Sequence, residues 1–344
     1  MHAGGYSQVT IALPGLLITV SLPIVSPPAA GVSTVVRNGE KAADAAPPDP
    51  RTRHFGTFYG LDEPAGDGPV ALVVGNCQAE SLRIMLDGGG LRTVRLPAVH
   101  EIVAADLPHL DRWLARAALL VSQPIRDDYR GLPLGTTQLV RRLGAGARTV
   151  RVPVIRFAGL YPAHAIVRPP DHPGLVPPVV AYHDLRLLAE AAGLSRPKLD
   201  PATVRAIAGH SLAQLRTREA AHGAVVVSDL FTTPSFEQMR TLNHPGNPVW
   251  SALAARVRAA LALPEHAVDP GRPLLDSVHA PREAAVIGAW DLDEPERPHW
   301  VVDGEIVDTG AVREAQLAWY ARNPGVVRAG LARHAESLRL LGAS

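Results

Sequence analysis

The spacing of apolar residues changes character several times along the chain, and each change marks an element. Residues 70–74, VALVV, are an unbroken apolar run rich in β-branched side chains, the signature of a buried strand. Gly75 and Asn76 break the run, and beyond Gln78 the apolar residues Leu82, Met85 and Leu86 recur at helical spacing. The pattern predicts strand, tight turn and helix, with Cys77 at the junction. Residues 93–96 and 118–122 read as further strands, and a helix over 107–117 between them puts Leu110 and Leu114 on one face. A helix over 136–143 and a strand over 149–157 follow. Asp184 is the expected N-cap of the next helix, with Tyr182 and His183 just outside it. Residues 201–222 are helical by pattern, and AVVVS at 224–228 reads as a strand. Pro245, Gly246 and Pro248 make a turn before a helix that starts near Val249, which holds Asn243 and His244 on a constrained loop. Asp303-Gly304 between short apolar runs predicts a type I′ hairpin, and helices over 311–321 and 324–341 close the chain.

Strands alternating with helices imply a mainly parallel sheet wound by right-handed crossovers, with ligands bound beyond the carboxyl ends of the strands. Cys77 and Gln123 each lie just past such an end. The folded core is expected over 70–263, with a C-terminal hairpin and helices over 264–344 packed on it as a small α/β lobe. Residues 1–36 carry no Asp, Glu, Lys or Arg, and 37–69 are charged and rich in Pro, Gly and Ala. Residues 1–36 are therefore expected to be a disordered leader, or the product of a start placed too far upstream, and 37–69 a linker, so that 1–69 lies outside the folded core. A signal or membrane anchor is the alternative for the apolar stretch at 9–25, although it lacks a positive n-region and is interrupted by Pro14, Gly15 and Pro23.

Composition narrows the function classes. A chain of 344 residues, 47% of them hydrophobic, can bury a large core. A net charge of +1 gives no bulk electrostatic case for nucleic acid. The single cysteine excludes an internal disulfide framework or a zinc site built from several cysteines, and no histidine pair stands at ligand spacing on a helix, so no metal is expected. No phosphate loop of the P-loop or dinucleotide type occurs. Cys77 is either a small buried apolar residue or a nucleophile whose pKa the unpaired N–H groups of the helix N-terminus lower. The polar neighbours Asn76, Gln78 and Glu80 favour the second reading. His244 is either a surface turn residue or a general base. Asp127-Asp128 reads as a solvated turn more than the paired-Asp metal motif of a sugar-nucleotide transferase.

Seven blocks in order carry a resemblance: GNCQ at 75–78, SQP at 122–124, FAGLYP at 157–162, YHD at 182–184, LRTRE at 215–219, SDLF at 228–231 and LNHPGNPVW at 242–250. Over about 70–263 the chain resembles the WcbI-like family of polysaccharide biosynthesis proteins, to which acetyltransferase activity is ascribed. The resemblance implies a three-layer α/β sandwich, SGNH-like or flavodoxin-like. It also implies coenzyme A or acetyl-coenzyme A as cosubstrate and a saccharide acceptor of capsular or exopolysaccharide type; a cytoplasmic site of action is expected from the reduced lone cysteine and the supply of coenzyme A. Cys77 then becomes the nucleophile, His244 the base and Asp184, or else Asp229, the residue that orients it. Asn76, Gln78 and Gln123, with Tyr161, Tyr182, His183 and Asn243, are the expected oxyanion and substrate contacts. Gly75 with Arg130 and Arg218, chosen over Arg126 and Arg216, would meet the coenzyme. An esterase or thioesterase passing the acyl group to water, and a non-catalytic coenzyme- or glycan-binding protein, are the rival readings. A second copy of the chain is a further partner, and a membrane one only if the stretch at 9–25 is an anchor.

Overall fold

The computed structural model describes residues 6–13, 16–23, 48–169, 171–172 and 174–343. Residues 1–47 and 48–344 are two separate units. In the first, Tyr6–Leu13 and Leu16–Pro23 form an antiparallel pair. The remainder of the leader expected there lies outside the described residues.

The second unit is built on a four-stranded sheet in which every pair is parallel. Its spatial order is Arg92–Val94, Val70–Val74, Leu119–Ser122, Arg148–Arg151. Val70–Val74 is buried at all five positions because helices cover both of its faces. Successive side chains point to opposite faces. Ala71, Val73, Leu119 and Val121 pack with Leu82, Met85 and Leu86 of the Cys77–Leu86 helix and with Leu253 and Val257 of the Asn247–Ala260 helix. Val70, Leu72, Val74 and Leu120 pack on Leu110, Trp113 and Leu114 of the Leu107–Arg116 helix. The result is an α/β sandwich. Val74 and Ser122 are partners in register, so the two strands end side by side and deliver Gly75 and Gln123 to the same place.

Several expectations are corrected. The stretch that composition presents as a linker holds two short helices, Pro50–His54 and Gly56–Tyr59. Phe58 is fully buried there, and its carbonyl accepts from Trp113 Nε1 at 3.0 Å. Helices this short show no period: Gly56–Tyr59 is held by the burial of Phe58, and Pro50–His54, which buries no residue, has its first turn capped by Asp49. The strand expected at 224–228 does not form. The buried Glu219 carboxylate accepts from Val227 N–H at 2.8 Å, Ser228 N–H at 2.9 Å and Ser228 Oγ at 2.7 Å, taking the donors a ladder would need. The strand expected over 149–157 stops at Arg151, and Ile155 bonds a side chain instead. The last expected helix divides into Pro324–Arg333 and Ala335–Leu341.

The C-terminal hairpin pairs Trp300–Val302 with Glu305–Val307, and Asp303 (φ 50°) and Gly304 (φ 87°) supply the two positive φ values of a type I′ turn. Val278–His279 adds a third strand. Tyr320, Val326, Val327, Leu338 and Leu341 pack around Leu185, Leu188 and Ile207, which fixes the closing helices to the core. Among the described residues no helix is long and apolar enough to cross a membrane.

Candidate functional site

The site grows from the turn after Val74. Asn76 is extended (φ −78°, ψ −162°) and caps the Cys77–Leu86 helix, its Oδ1 accepting from Gln78 N–H at 2.9 Å. Gln123 Oε1 accepts from Asn76 N–H at 2.9 Å. That side chain passes so close that a Cβ on Gly75 would lie 2.5 Å from its Oε1, so any side chain at position 75 would have to displace Gln123. Gln78 is buried and bonds with both ends of its amide. Nε2 donates to Ile155 O at 2.7 Å and Asn243 O at 2.8 Å, while Oε1 accepts from Ile155 N–H at 3.0 Å and Gln123 Nε2 at 3.1 Å. The oxyanion donors expected here, the Gln78 main-chain N–H and the Gln123 amide, are corrected: the first is given to Asn76 Oδ1 and the second to Gln78 Oε1. The two side-chain amides are spent on tying the turn to the loops at 155 and 243.

What remains unbonded among the described residues is the Cys77 main-chain N–H, the Asn76 side-chain NH2 and the thiol itself, which is exposed at the turn. Although one side of Cys77 is open to water, the protein around it pushes the thiol up. The N–H groups of Cys77 and Gln78 pull it down more weakly, and the Glu101 carboxylate adds to the upward push. A thiol lowered by its helix N-terminus was the sequence expectation; in this structure burial and Glu101 outweigh the helix. Glu101 is a neighbour that sequence reasoning missed.

Asn243 and His244 arrive on the hairpin that pairs Met239–Thr241 with His244–Pro245. Gln78, the neighbour of Cys77, holds the Asn243 carbonyl at 2.8 Å, and Tyr182 packs on the same hairpin. Tyr182 Oη donates to Asn243 Oδ1 at 2.8 Å and so accepts from Thr241 Oγ1 at 2.8 Å. Its ring meets His244 edge-on, with centroids 6.1 Å apart, and its phenol lies within electrostatic reach of Cys77. His244 Nδ1 is buried without a partner, and its pKa is pushed down to about 4, first by burial and then by Arg240 and His279. The imidazole is therefore neutral at pH 7, the form a base requires, but no carboxylate orients it. Asp184 is corrected from that role. It caps the Leu185–Ala191 helix through Arg186 N–H at 2.7 Å and pairs with the Arg186 guanidinium at 2.6 Å, which also holds Glu283. Asp229 is paired with Arg256 on the surface.

Two other expected contacts belong to the core. Tyr161 is buried with its hydroxyl on Met239 O at 2.9 Å. His183 is fully buried, with Nδ1 2.7 Å from Tyr320 Oη and its ring stacked on Tyr320. Trp300, from the C-terminal hairpin, stacks between His164 (4.9 Å) and Tyr182 (5.7 Å). The C-terminal segment, where no chemistry is legible in sequence, thus reaches the site. Burial holds His183 at about 4 as well, so both histidines bind a proton more readily in the unfolded chain, near 6.5. Stability contributed by their neutral forms is complete above about pH 6.5 and is lost as pH falls through about 4. Urea unfolding at pH 7.5 and 4.5 should show a loss on the order of 3 kcal/mol from the fully buried His183 alone. A His183→Gln protein should lose measurably less over that interval, and equal losses would refute the assignment.

Of the arginines expected at the coenzyme, Arg130 donates to His100 O at 2.6 Å beside Glu101, with a left-handed backbone (φ 55°). Arg218 lines a recess of about 320 Å³ together with Arg156, Arg333, His210 and His334. Arg156 and the C-terminal pair Arg333-His334 were not legible as site residues in the sequence. Among the described residues no group of three His, Cys, Asp or Glu is placed to hold a metal ion.

Comparison with known proteins follows the same stretch of chain. The family described as polysaccharide biosynthesis enzyme WcbI matches residues 70–266. A solved structure of WcbI, described as the native protein without a disulfide bond between coenzyme A and one of its cysteines, superposes with a TM-score of 0.66 at 19% identity. The match covers 80% of this chain and 99% of that one, and at this identity it establishes a shared fold. No curated protein matches.

Proposed function

Since the chain belongs to the WcbI family of polysaccharide biosynthesis enzymes, we propose that it moves an acetyl group from acetyl-coenzyme A to a sugar hydroxyl of a capsular or exopolysaccharide precursor. The observation that carries this reading is the Cys77 turn. An open, unbonded thiol stands at a helix N-terminus with its own main-chain N–H free, and the neutral imidazole of His244 lies across Tyr182. The association of coenzyme A with the solved WcbI supports the donor.

In the first step the Cys77 thiol gives its proton to His244 and its sulfur attacks the thioester carbonyl. The bond from acyl carbon to coenzyme sulfur breaks, and the coenzyme leaves as a thiol with the proton returned by His244. One thioester replaces another, so the step is close to isoenergetic. The sugar hydroxyl then attacks the acyl carbon. His244 takes its proton, the carbon–sulfur bond breaks, and Cys77 recovers the proton as the ester leaves. The oxyanion in each step meets the Cys77 N–H and the free side-chain NH2 groups of Asn76 and Asn243. Arg130, on the Glu101 side of the turn, and Arg218 are the arginines assigned to the coenzyme's phosphates.

A second reading, single displacement, draws support from the upward push on the thiol and from the absence of a carboxylate on His244. There His244 activates the sugar directly and Cys77 only shapes the pocket. Intact-protein mass spectrometry after incubation with acetyl-coenzyme A, without acceptor, separates the two. An acetyl adduct on wild type and none on Cys77→Ala is the expected result. No adduct, with coenzyme still bound, would leave single displacement, and steady release of acetate would identify a hydrolase.

A further inference from the structure

We infer that the recess framed by Arg156, Arg218 and Arg333 is a binding site for a phosphate ester group. Its wall comes from three distant parts of the chain: the loop after the last sheet strand, the Pro201–His222 helix, and the junction between the two closing helices. His210 and His334 also line it, and no carboxylate does. None of the three guanidinium groups makes a hydrogen bond or an ion pair among the described residues, and Arg156 Nε is sealed from water without a partner. Other half-buried arginines show the usual solution, as Arg186 does with Asp184 and Glu283 and Arg240 with Asp276, whereas Arg282 is left with only the face of the Phe236 ring.

Convergent, unpaired arginines in a concavity repel one another, and that repulsion is felt here. Arg156 is pushed down by burial and then by the charges of Arg333, Arg218 and Arg168. A bound anion removes the penalty. The planar guanidinium fork matches phosphate oxygens, and the volume of about 320 Å³ is near the small end of ligand pockets. It admits a phosphorylated sugar or the phosphorylated ribose end of a nucleotide, not a whole coenzyme. Position supports a role beside the acyl-transfer turn. Arg156 follows Ile155, whose N–H and C=O are both bonded by Gln78, the neighbour of Cys77. Tyr182 is within electrostatic reach of Cys77, Arg156 and Arg168 alike.

The site itself stands on this geometry; only the identity of the phosphate's carrier rests on the acyl-transfer reading. Calorimetry on the full chain, with adenosine 3′,5′-bisphosphate for the coenzyme and glucose 1-phosphate for the acceptor, tests both. At least one probe should bind wild type, and Arg218→Ala and Arg333→Ala should each weaken it tenfold or more. Loss confined to the bisphosphate assigns the recess to the coenzyme, and loss confined to glucose 1-phosphate assigns it to the acceptor. Without ligand, both variants should melt at or above the wild-type temperature, because each removes a repelling charge. Failure of both probes to bind, binding indifferent to both substitutions, or a lowered melting temperature in both free variants would overturn the inference. A Cys77 adduct with no phosphate binding would sink this site alone, and phosphate binding with no transfer would sink the transfer reading alone.

Discussion

Cys77→Ala should fold as wild type does and lose on the order of a thousandfold or more of acetyl transfer. The first half follows from what the thiol lacks: it is exposed and makes no hydrogen bond, while the turn around it is held by Asn76, Gln78 and Gln123. The melting temperature should therefore stay within about 2 °C, the size of an ordinary surface change. The second half follows from removing a nucleophile whose partners cannot replace it, which in comparable covalent enzymes costs three to six powers of ten. Cys77→Ser should fare little better, since a hydroxyl is far harder to ionise than a thiol and no carboxylate strengthens His244 as its base. Turnover within tenfold of wild type in Cys77→Ala would eliminate the covalent route.

Gln78→Ala should be the most damaging substitution near the site that removes no reacting atom. Four hydrogen bonds disappear from a buried position, leaving Ile155 N–H and C=O, Asn243 C=O and the Gln123 amide without their partner. Each buried polar group left unpaired costs about 1–3 kcal/mol, and the losses are not additive, so about 3 kcal/mol in total is expected. For a chain of this size that corresponds to a fall of roughly 4 to 5 °C in melting temperature. Gln78→Glu should be no milder, because it removes two donors and sets a carboxylate against two carbonyl oxygens. A melting temperature within about 2 °C of wild type for Gln78→Ala would mean that the loops at 155 and 243 are held by something else.

The strand, turn and helix around Cys77 were legible because their signals are local: a β-branched run, Gly75 with Asn76, then helical spacing. The N-cap at Asp184 and the Asp303-Gly304 turn were legible for the same reason. The partner of Asp184 was missed although it stands only two residues away at Arg186, and a carboxylate claimed by its own cap and a neighbouring guanidinium is poorly placed to serve a distant histidine. Other features depend on contacts that no local pattern encodes. The four bonds of Gln78 join residues 45, 77 and 165 positions apart. Glu219 dissolves a strand whose own residues favour it, because one carboxylate competes successfully for its donors. Arg333 reads as one basic residue among many in a polar helix, and only the fold brings it beside Arg156 and Arg218.

The stacking of Trp300 on Tyr182, and of His183 on Tyr320, sets an order for biosynthesis. A ribosome releases the cysteine turn early, but the aromatic groups that wall in Tyr182 and brace the residue after it are translated more than a hundred positions later. The nascent chain can close its sheet while still tethered. The aromatic wall around Tyr182 is completed only when the closing segment emerges, so a message cut short after residue 266 would yield the cysteine turn without that wall.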